Sequence, residues 1–169
     1  NAMNLSTISE SQMPSSRIVL LKSFGKNGFV FYTNVKSKKG NSINLNPQVS
    51  LNFHWKSLLK QIRIEGIAKL VTDKEADEYF NSRPYESRIG AWASDQSKVM
   101  NKKEELLKKI EEFKKKYKDV SYVPRPKHWS GWCLNPTSIE FWLGDQYRVH
   151  ERLKYNKISN NWKKEILYP

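Results

Sequence analysis

Short runs in which apolar and polar residues alternate occupy much of the chain and predict β-strands joined by turns. A first set, rich in β-branched and aromatic residues, covers residues 17–22, 29–33, 49–55 and 61–71. Gly25 and Gly28 mark a turn, so we expect the first two runs to form a hairpin. The alternation returns at residues 132–133, 139–143, 147–155 and 162–167, with turns at Gly144 and Ser159.

Four helical segments are predicted between these strands, at residues 37–46, 72–83, 87–93 and 101–119. The first begins at Ser37 and has to end before Pro47, while Thr72 and Glu75 form a capping box that opens the second. In the fourth, apolar side chains recur every three or four positions among lysines and glutamates. That spacing predicts a surface helix with one buried stripe and a solvated, charged back.

Antiparallel hairpins with helices inserted between them differ from the strand–helix alternation of a parallel sheet. We therefore predict a mainly β fold in which six or seven strands form a closed or nearly closed antiparallel barrel. A chain of 169 residues is long enough for one domain with a core, so residues 1–169 are assigned to a single domain. Residues 1–16 are expected to be partly flexible, and residues 1–2 are consistent with an expression-tag remnant.

The sequence argues against several classes of protein. No apolar run approaches the roughly 20 residues of a membrane helix, and no signal peptide is visible. Glycine-rich dinucleotide and phosphate loops and a serine nucleophile elbow are missing. The histidines, His54, His128 and His150, share no metal-ligand spacing, so no metal is expected. The single Cys133 excludes an intrachain disulfide and fits a reducing, cytoplasmic compartment.

The formal net charge of +13 favours negatively charged partners, either polyanions or phosphorylated small molecules. Much of this charge lies in residues 101–119, where a solvated surface helix accounts for it. A basic nucleic-acid binder is the alternative from another class of protein, and it would lose affinity steeply as salt rises.

A first candidate anion site lies at the predicted start of the first helix. Ser37, Lys38 and Lys39 stand where exposed backbone N–H groups and the helix dipole favour a negative charge. Two adjacent lysines strengthen the case for a phosphate. Lysines near helix starts are also common as solvated surface residues, and that plainer interpretation stands beside this one.

A second candidate lies around the end of the second helix. Tyr79 and Arg83 are four residues apart on one predicted helical face, and Ser87 follows shortly after. A phenol, a guanidinium and a hydroxyl that converge would suit a phosphomonoester, because arginine offers it a planar two-pronged contact. The alternative is that Arg83 only complements the helix dipole.

The third candidate is a row of cations near the C-terminus. Alternate residues of a strand face one side, so Arg148, His150 and Arg152 would line one surface of the strand predicted at 147–155. Such a row is unfavourable unless an anion or an electron-rich ring lies opposite. It is therefore the least ordinary feature of the sequence.

These segments resemble the pyridoxine/pyridoxamine 5′-phosphate oxidase family. The resemblance is carried, in the family's order, by Arg17–Lys22, Phe31–Asn34, Ser37–Lys39, Tyr79–Pro84, Ile89–Trp92, Gln96-Ser97, Ile139–Trp142 and Arg148–Arg152. The Ser-Arg-Pro and Arg-x-His-x-Arg elements are quite specific when they occur together. The resemblance implies an FMN-binding split barrel that forms a homodimer with both active sites at the subunit interface.

The resemblance also implies roles for individual residues. FMN would be held by Arg17, Lys22, Tyr32, Thr33, Lys38, Lys39, Gln61, Gln96, Ser97, Trp142 and Arg152. The substrate phosphate would be held by Lys22, Tyr79, Arg83 and Ser87, and Arg148 and His150 would act over the substrate ring as substrate-binding and catalytic residues. Lys38 departs from the family, which often has arginine there; lysine keeps the charge but loses the two-pronged geometry. Little sequence precedes Arg17 where the family commonly has a longer extension, which puts closure over the active site in doubt.

The implied activity is the oxidation of pyridoxine or pyridoxamine 5′-phosphate to pyridoxal 5′-phosphate, with O2 as acceptor and release of H2O2. The chain would then be an FMN-dependent oxidoreductase whose partners are phosphorylated B6 vitamers, O2 and a second copy of itself. The alternative within the same fold is a flavin-binding protein that is not an oxidase, or a reductase. Neither nucleic acid nor a membrane is expected as a partner.

Overall fold

A nine-stranded sheet dominates the computed structural model, which describes residues 1–118, 120 and 122–169. Its strands are β1 (Ala2–Ile8), β2 (Pro14–Leu20), β3 (Ser23–Gly25), β4 (Gly28–Asn34), β5 (Gln48–Trp55), β6 (Lys60–Leu70), β7 (Trp129–Leu143), β8 (Glu151–Ile158) and β9 (Asn161–Ile166). They follow the order β2-β1-β5-β6-β7-β4-β3, with β8 beside β7 and β9 beside β8. The pairs β1–β2, β1–β5, β3–β4, β5–β6, β7–β8 and β8–β9 are antiparallel. The predicted mainly β, antiparallel fold is confirmed.

Helices occupy the four predicted segments: α1 (Lys38–Leu45), α2 (Asp73–Asn81), α3 (Tyr85–Ala93) and α4 (Lys103–Lys116). The last residue of the fourth predicted segment, 119, lies outside the described residues. The predicted capping box of α2 is present, because the Thr72 hydroxyl accepts the Glu75 N–H at 3.2 Å and the Glu75 carboxylate accepts the Thr72 N–H at 2.8 Å. Hydrogen bonds from the Thr72 side chain and backbone also lower the pKa of Glu75. Among the described residues, no helix is both long and apolar enough to span a membrane.

The chain forms two compact units, neither of which is a continuous stretch of sequence. Unit 1 comprises Asn1–Phe31, Ser42–Lys69 and Trp132–Pro169, and unit 2 comprises Tyr32–Asn41 and Leu70–Gly131. Because each unit draws on separated segments, the sequence carries no composition break or linker where one unit ends and the other begins.

The core of unit 1 comes from the strict alternation of its strands. Met3 and Leu5 on β1 and Leu51 on β5 are buried, while their neighbours along each strand are less so. β1 lies in a segment for which the sequence predicted no regular element, and it pairs with β2 on one side and β5 on the other.

One hydrophobic cluster of unit 2 lies between α3 and α4. Ile89 and Tyr117 are buried there together with Val123, and Trp92 and Phe113 pack against them. The predicted apolar stripe of α4 is therefore present, but within the described helix none of its side chains is fully buried.

Two strand predictions were wrong in part. The expected hairpin between residues 17–22 and 29–33 is only partly correct. Its turn between Gly25 and Gly28 is present and the Lys22 N–H donates to the Val30 carbonyl, but the strand paired with β4 across this turn is the short β3, whereas residues 17–20 belong to β2 and pair with β1. The strands predicted at 132–133 and 139–143 are a single strand, β7, which continues through Pro136.

Candidate active site

A cavity of about 370 Å³ in unit 2 gathers several of the residues predicted to bind ligands. Its lining includes the predicted residues Tyr32, Thr33, Arg83, Ser87 and Gln96, together with Trp129. These positions lie up to 97 residues apart in sequence, between Tyr32 and Trp129. The fold of unit 2 therefore brings part of the predicted cofactor set and part of the predicted substrate set to one cavity.

Arg83 provides the positive charge of this cavity. Its guanidinium carbon lies 4.7 Å from the centre of the Trp129 ring. Its Nη1 atom is buried and finds no hydrogen-bond partner among the described residues. Burial lowers the pKa of this guanidinium, which nevertheless stays charged at neutral pH. A half-buried cation with an unused donor is suited to an anionic ligand, because an unmet buried donor is unfavourable.

The prediction that Tyr79 and Arg83 share one face of a helix was wrong, although their side chains do come together. α2 ends at Asn81, so Arg83 lies beyond the helix and its backbone N–H donates to the Phe80 carbonyl at 3.2 Å. The two side chains meet by another route, since both lie against the indole of Trp129.

A second polar group in unit 2 surrounds the Lys39 ammonium. The Nζ atom of Lys39 donates to Gln96 Oε1 at 2.8 Å and to Thr33 Oγ1 at 3.1 Å. The Thr33 hydroxyl also donates to Gln96 Oε1 at 3.2 Å. Lys38 is exposed at the start of α1, and Ser97 is exposed with a left-handed backbone (φ 75°). The structure thus brings three of the predicted FMN residues into direct contact.

Three aromatic rings stack beside Arg83. The ring centres of Tyr32 and Tyr79 are 4.1 Å apart, and Tyr32 lies 5.3 Å from Trp129 at an angle of 9°. Sequence reasoning missed Trp129, which lies before the first predicted C-terminal strand at residues 132–133 and begins β7 in the structure. No spacing within the sequence links it to residues of α2, so only the strand and helix packing reveals it.

Sequence reasoning also missed Arg125, which ties α2 to the start of β7. Its Nε and Nη2 atoms donate to Asp77 and Asp73 at 2.6 Å each, and its Nη1 donates to the Trp129 carbonyl at 2.8 Å. A signal existed in the sequence: the two aspartates are four residues apart, so they share a helical face and could meet one guanidinium.

In unit 1, Trp142 is the centre of a separate group of predicted residues. The centre of the Trp142 ring lies 4.6 Å from that of the His150 ring. Trp142 and Gln61 also line a cavity of about 330 Å³. The sheet register places Trp142 opposite Arg152. The His150 Nδ1 atom accepts the backbone N–H of Asp145 at 3.2 Å, which fixes the ring over its own loop.

The predicted cation row at the C-terminus was wrong as a strand feature. β8 begins at Glu151, so only Arg152 of the three lies in a strand. Tyr147 and Arg148 instead adopt left-handed backbone conformations (φ 54° and 64°) within a short 3-10 turn that follows Asp145. Period-two alternation cannot apply there, and Arg148 is exposed on the turn.

Arg152 is held by a buried carboxylate. Its Nε donates to Glu140 at 2.8 Å and its Nη1 to the Tyr168 carbonyl at 3.0 Å, while Arg63 donates to the other Glu140 oxygen. Glu140 is 3% exposed. Burial opposes its ionisation, but the hydrogen bonds from the two arginines outweigh burial and lower the pKa of Glu140.

The remaining two predicted residues of unit 1 differ in their surroundings. Arg17 turns into its own hairpin, where its Nη1 donates to Thr7 Oγ1 at 2.8 Å and its Nη2 to Ser15 Oγ at 2.7 Å. Lys22 is exposed just after β2, and its backbone N–H donates to the Val30 carbonyl. Among the described residues no cluster of histidine, cysteine or acidic side chains could hold a metal ion.

Two family models match the chain. Residues 1–117 match the model described as pyridoxamine 5′-phosphate oxidase, and residues 129–169 match a pyridoxine 5′-phosphate oxidase C-terminal dimerisation region. The second match, which covers β7 to β9, indicates that the protein forms a homodimer.

Curated relatives agree with these matches. A pyridoxine/pyridoxamine 5′-phosphate oxidase from Pelagibacter ubique is 59% identical over 170 residues, covering 100% of this chain and 82% of the relative. The enzyme of the same name from Caulobacter vibrioides is 48% identical over 169 residues, covering 100% of this chain and 76% of the relative.

Solved structures share the fold. PhzG from Burkholderia lata, solved with tetrahydrophenazine-1-carboxylic acid, is 29% identical with a TM-score of 0.93 and covers 99% of this chain and 82% of its own. An FMN-binding protein related to pyridoxamine 5′-phosphate oxidase, from Nostoc punctiforme, has a TM-score of 0.79 at 13% identity, covering 99% of this chain and 88% of its own, and supports the fold alone. Both family models match, and the Pelagibacter relative is 59% identical over the whole of this chain. This chain therefore belongs to the pyridoxine/pyridoxamine 5′-phosphate oxidase family, whose members are oxidoreductases with a split-barrel fold.

Proposed function

We propose that this protein oxidises pyridoxine 5′-phosphate and pyridoxamine 5′-phosphate to pyridoxal 5′-phosphate, with bound FMN as cofactor and O2 as acceptor. The alcohol gives up two electrons and two protons, and O2 takes them up as H2O2. The amine in addition consumes water and releases ammonia. The observation that carries the proposal is Arg83, which lines the unit 2 cavity and whose buried Nη1 atom has no hydrogen-bond partner among the described residues, in a chain whose relatives are named pyridoxine/pyridoxamine 5′-phosphate oxidase.

The substrate phosphate is the group that Arg83 would recognise. Ser87 lines the same cavity and adds a hydroxyl donor. A guanidinium binds a phosphate through two parallel hydrogen bonds, and partial burial strengthens that contact because water competes less for it. Tyr79 and Lys22 complete the proposed set of phosphate ligands.

The residues present also fit a phosphate-bearing flavin. Lys39, Thr33 and Gln96 form a cationic, hydrogen-bonding group beside the first turn of α1, where a phosphate is favoured. The other proposed FMN residues are Tyr32, Lys38 and Ser97 in unit 2 and Arg17, Lys22, Gln61, Trp142 and Arg152 in unit 1. When bound, FMN supplies the two-electron chemistry that protein side chains cannot.

We propose that the protein's own side chains contribute to the reaction by positioning the substrate and by stabilising charge that develops on it. Arg148 and His150 are the residues we propose to lie over the substrate ring, where Arg148 would favour negative charge that develops during oxidation. The packing of His150 against Trp142 limits the orientations of its imidazole. Two phosphate anchors would fix both rings relative to each other, which is the advantage of proximity. We further propose that both active sites of the homodimer lie at the subunit interface.

The test is an assay of the purified protein for H2O2 release after FMN is added. Pyridoxine 5′-phosphate and pyridoxamine 5′-phosphate are compared with pyridoxine, which lacks the phosphate. Turnover of the phosphate esters with peroxide release supports the proposal. A protein that turns yellow with FMN but releases no peroxide would instead be a flavin-binding protein or reductase of the same fold, and the proposal would be wrong.

Arg83→Gln is the variant that tests the phosphate contact. Hydrogen bonds to charged groups contribute about 1.5–3 kcal/mol, so the KM for pyridoxine 5′-phosphate should rise by about 10- to 150-fold. Arg88→Gln is the matched control, because Arg88 on α3 is also partly buried and its Nε atom has no hydrogen-bond partner among the described residues, but it does not line the cavity. Equal effects of the two substitutions on KM would contradict the assignment of Arg83.

A further inference from the structure

The indole of Trp129 contacts three of the residues proposed to bind ligands. Its ring centre lies 5.3 Å from that of Tyr32 and 6.1 Å from that of Tyr79, at angles of 9° and 8°. The guanidinium carbon of Arg83 lies 4.7 Å from the same indole. One side chain with no proposed ligand of its own therefore touches residues of both the cofactor set and the substrate set.

The backbone of Trp129 is fixed by its surroundings. Its carbonyl accepts Arg125 Nη1 at 2.8 Å, and its N–H donates to the Pro126 carbonyl at 2.9 Å. The Arg125 side chain is only 11% exposed and forms ion pairs with Asp73 and Asp77 on α2. Trp129 as a whole is 6% exposed. Trp129 thus has little freedom to move, as a support for other side chains requires.

The strand that carries Trp129 also leaves room for the stack. Trp129 and Gly131 are alternate residues of β7, so they face the same side. A Cβ atom on Gly131 would lie 2.7 Å from Cε1 of Tyr32, closer than such atoms can approach. On this side of β7, the Tyr32 ring therefore meets the indole of Trp129 and, two residues further on, the backbone of Gly131, which has no side chain.

We propose that Trp129 is a positioning residue for the substrate phosphate group, which it serves by holding the Arg83 guanidinium against its aromatic face. This inference rests on the proposed function of the cavity. A cation over an indole is attracted by the negative face of the ring, and the contact strengthens when water is excluded. With its face held in this way, the guanidinium keeps its Nη1 donor for a phosphate oxygen, and that donor has no partner among the described residues.

The experiment uses the FMN-loaded protein and its Trp129→Leu and Trp129→Phe variants. Trp92→Leu is the matched control, because Trp92 is a partly buried tryptophan of the same unit that packs against Phe113 and Tyr117 and does not line the cavity. Titration calorimetry gives the Kd of pyridoxal 5′-phosphate and of pyridoxal for each protein, and the ratio of the two isolates the phosphate contact. Steady-state assays give KM and kcat for pyridoxine 5′-phosphate.

We expect Trp129→Leu to reduce the preference for the phosphate ester by about 5- to 30-fold, the factor that a desolvated cation–π contact provides. KM should rise by a similar factor while kcat changes little. Trp129→Phe should lie between leucine and wild type, since a smaller aromatic face remains, and it carries the test if the leucine variant does not fold. Trp92→Leu should leave the preference unchanged.

A double-mutant cycle with Arg83→Lys separates positioning from a general structural effect. If Trp129 acts through Arg83, the two substitutions together reduce phosphate preference by less than the product of their separate effects. Equal weakening of pyridoxal and its phosphate in both Trp129 variants, or independent effects in the cycle, would overturn the proposal. A wild-type protein that prefers the phosphate ester without oxidising it would refute the oxidase function and leave the role of Trp129 supported by the same ratios.

Discussion

Replacing the buried carboxylate Glu140 with glutamine should destabilise the protein strongly. Glu140 is 3% exposed and binds two guanidinium groups, those of Arg63 and Arg152. Removing one member of a buried ion pair costs about 3–5 kcal/mol, whereas an exposed pair contributes about 0–1 kcal/mol. The arginine side chains are 44% and 24% exposed, so water screens part of the interaction. We therefore expect Glu140→Gln to lower the free energy of unfolding by about 2–4 kcal/mol.

The pH dependence gives a second, independent result. The pKa of Glu140 is lowered in the folded protein, so its ionised form stabilises the fold above the ordinary carboxyl pKa. That contribution is lost as pH falls through the lowered pKa. The difference between wild type and Glu140→Gln should therefore be largest near neutral pH and shrink below about pH 4.

Urea denaturation of the FMN-free protein, at one protein concentration and several pH values, measures both effects. Fixing the concentration matters because stability of a dimer depends on it. Glu111→Gln is the matched control, since it breaks an exposed ion pair with Lys114 (62% and 43% exposed). The reasoning is refuted if Glu140→Gln is as mild as Glu111→Gln, or if its effect stays constant down to acidic pH.

Two further predictions concern the backbone. Thr72→Ala removes the cap of α2 and should cost about 1 kcal/mol in thermal or urea unfolding, whereas Thr72→Ser should retain most of the stability because it keeps the hydroxyl. Gly28→Ala should prevent accumulation of folded protein, because Gly28 has φ +124° and a Cβ there would lie 2.0 Å from the Leu134 carbonyl oxygen; soluble yield and circular dichroism measure this. Gly25→Ala is its control, since no atom lies within 4 Å of the added carbon, and equal damage from both would contradict the argument.

Individual helices and strands could be predicted from the sequence because the residues that determine them lie close together in the chain. The capping box joins Thr72 to a residue three positions away, and the end of α1 is set by nearby Pro47. The strands at 49–55 and 61–71 were recognised from alternation and correspond to β5 and β6. Alternation gave the wrong structure for Arg148 and His150. Their segment begins with a turn that is capped by the Asp145 side chain and contains left-handed backbone angles, so it is not a strand.

Pairing between strands could not be derived in this way. Residues 17–20 could equally have paired with 29–33 or with the N-terminal segment, because both alternatives bury an apolar face of the same period. The structure selects the N-terminal segment, where Leu5 lies opposite Arg17 in the register of β1 and β2. That choice depends on the fit of β1 between β2 and β5, which involves residues near position 50.

For the candidate site, the sequence by itself determined the chemical inventory: which cations, hydroxyls and phenols the chain offers, and which family their order resembles. Only the tertiary structure decided which of them touch. Trp129 meets Arg83 and Tyr32 although these residues lie 46 and 97 positions before it, and Lys39 meets Gln96. The physical reason is that a residue type and its near neighbours are set by the chain itself, whereas distant contacts depend on how strands and helices pack once the chain has closed on its core.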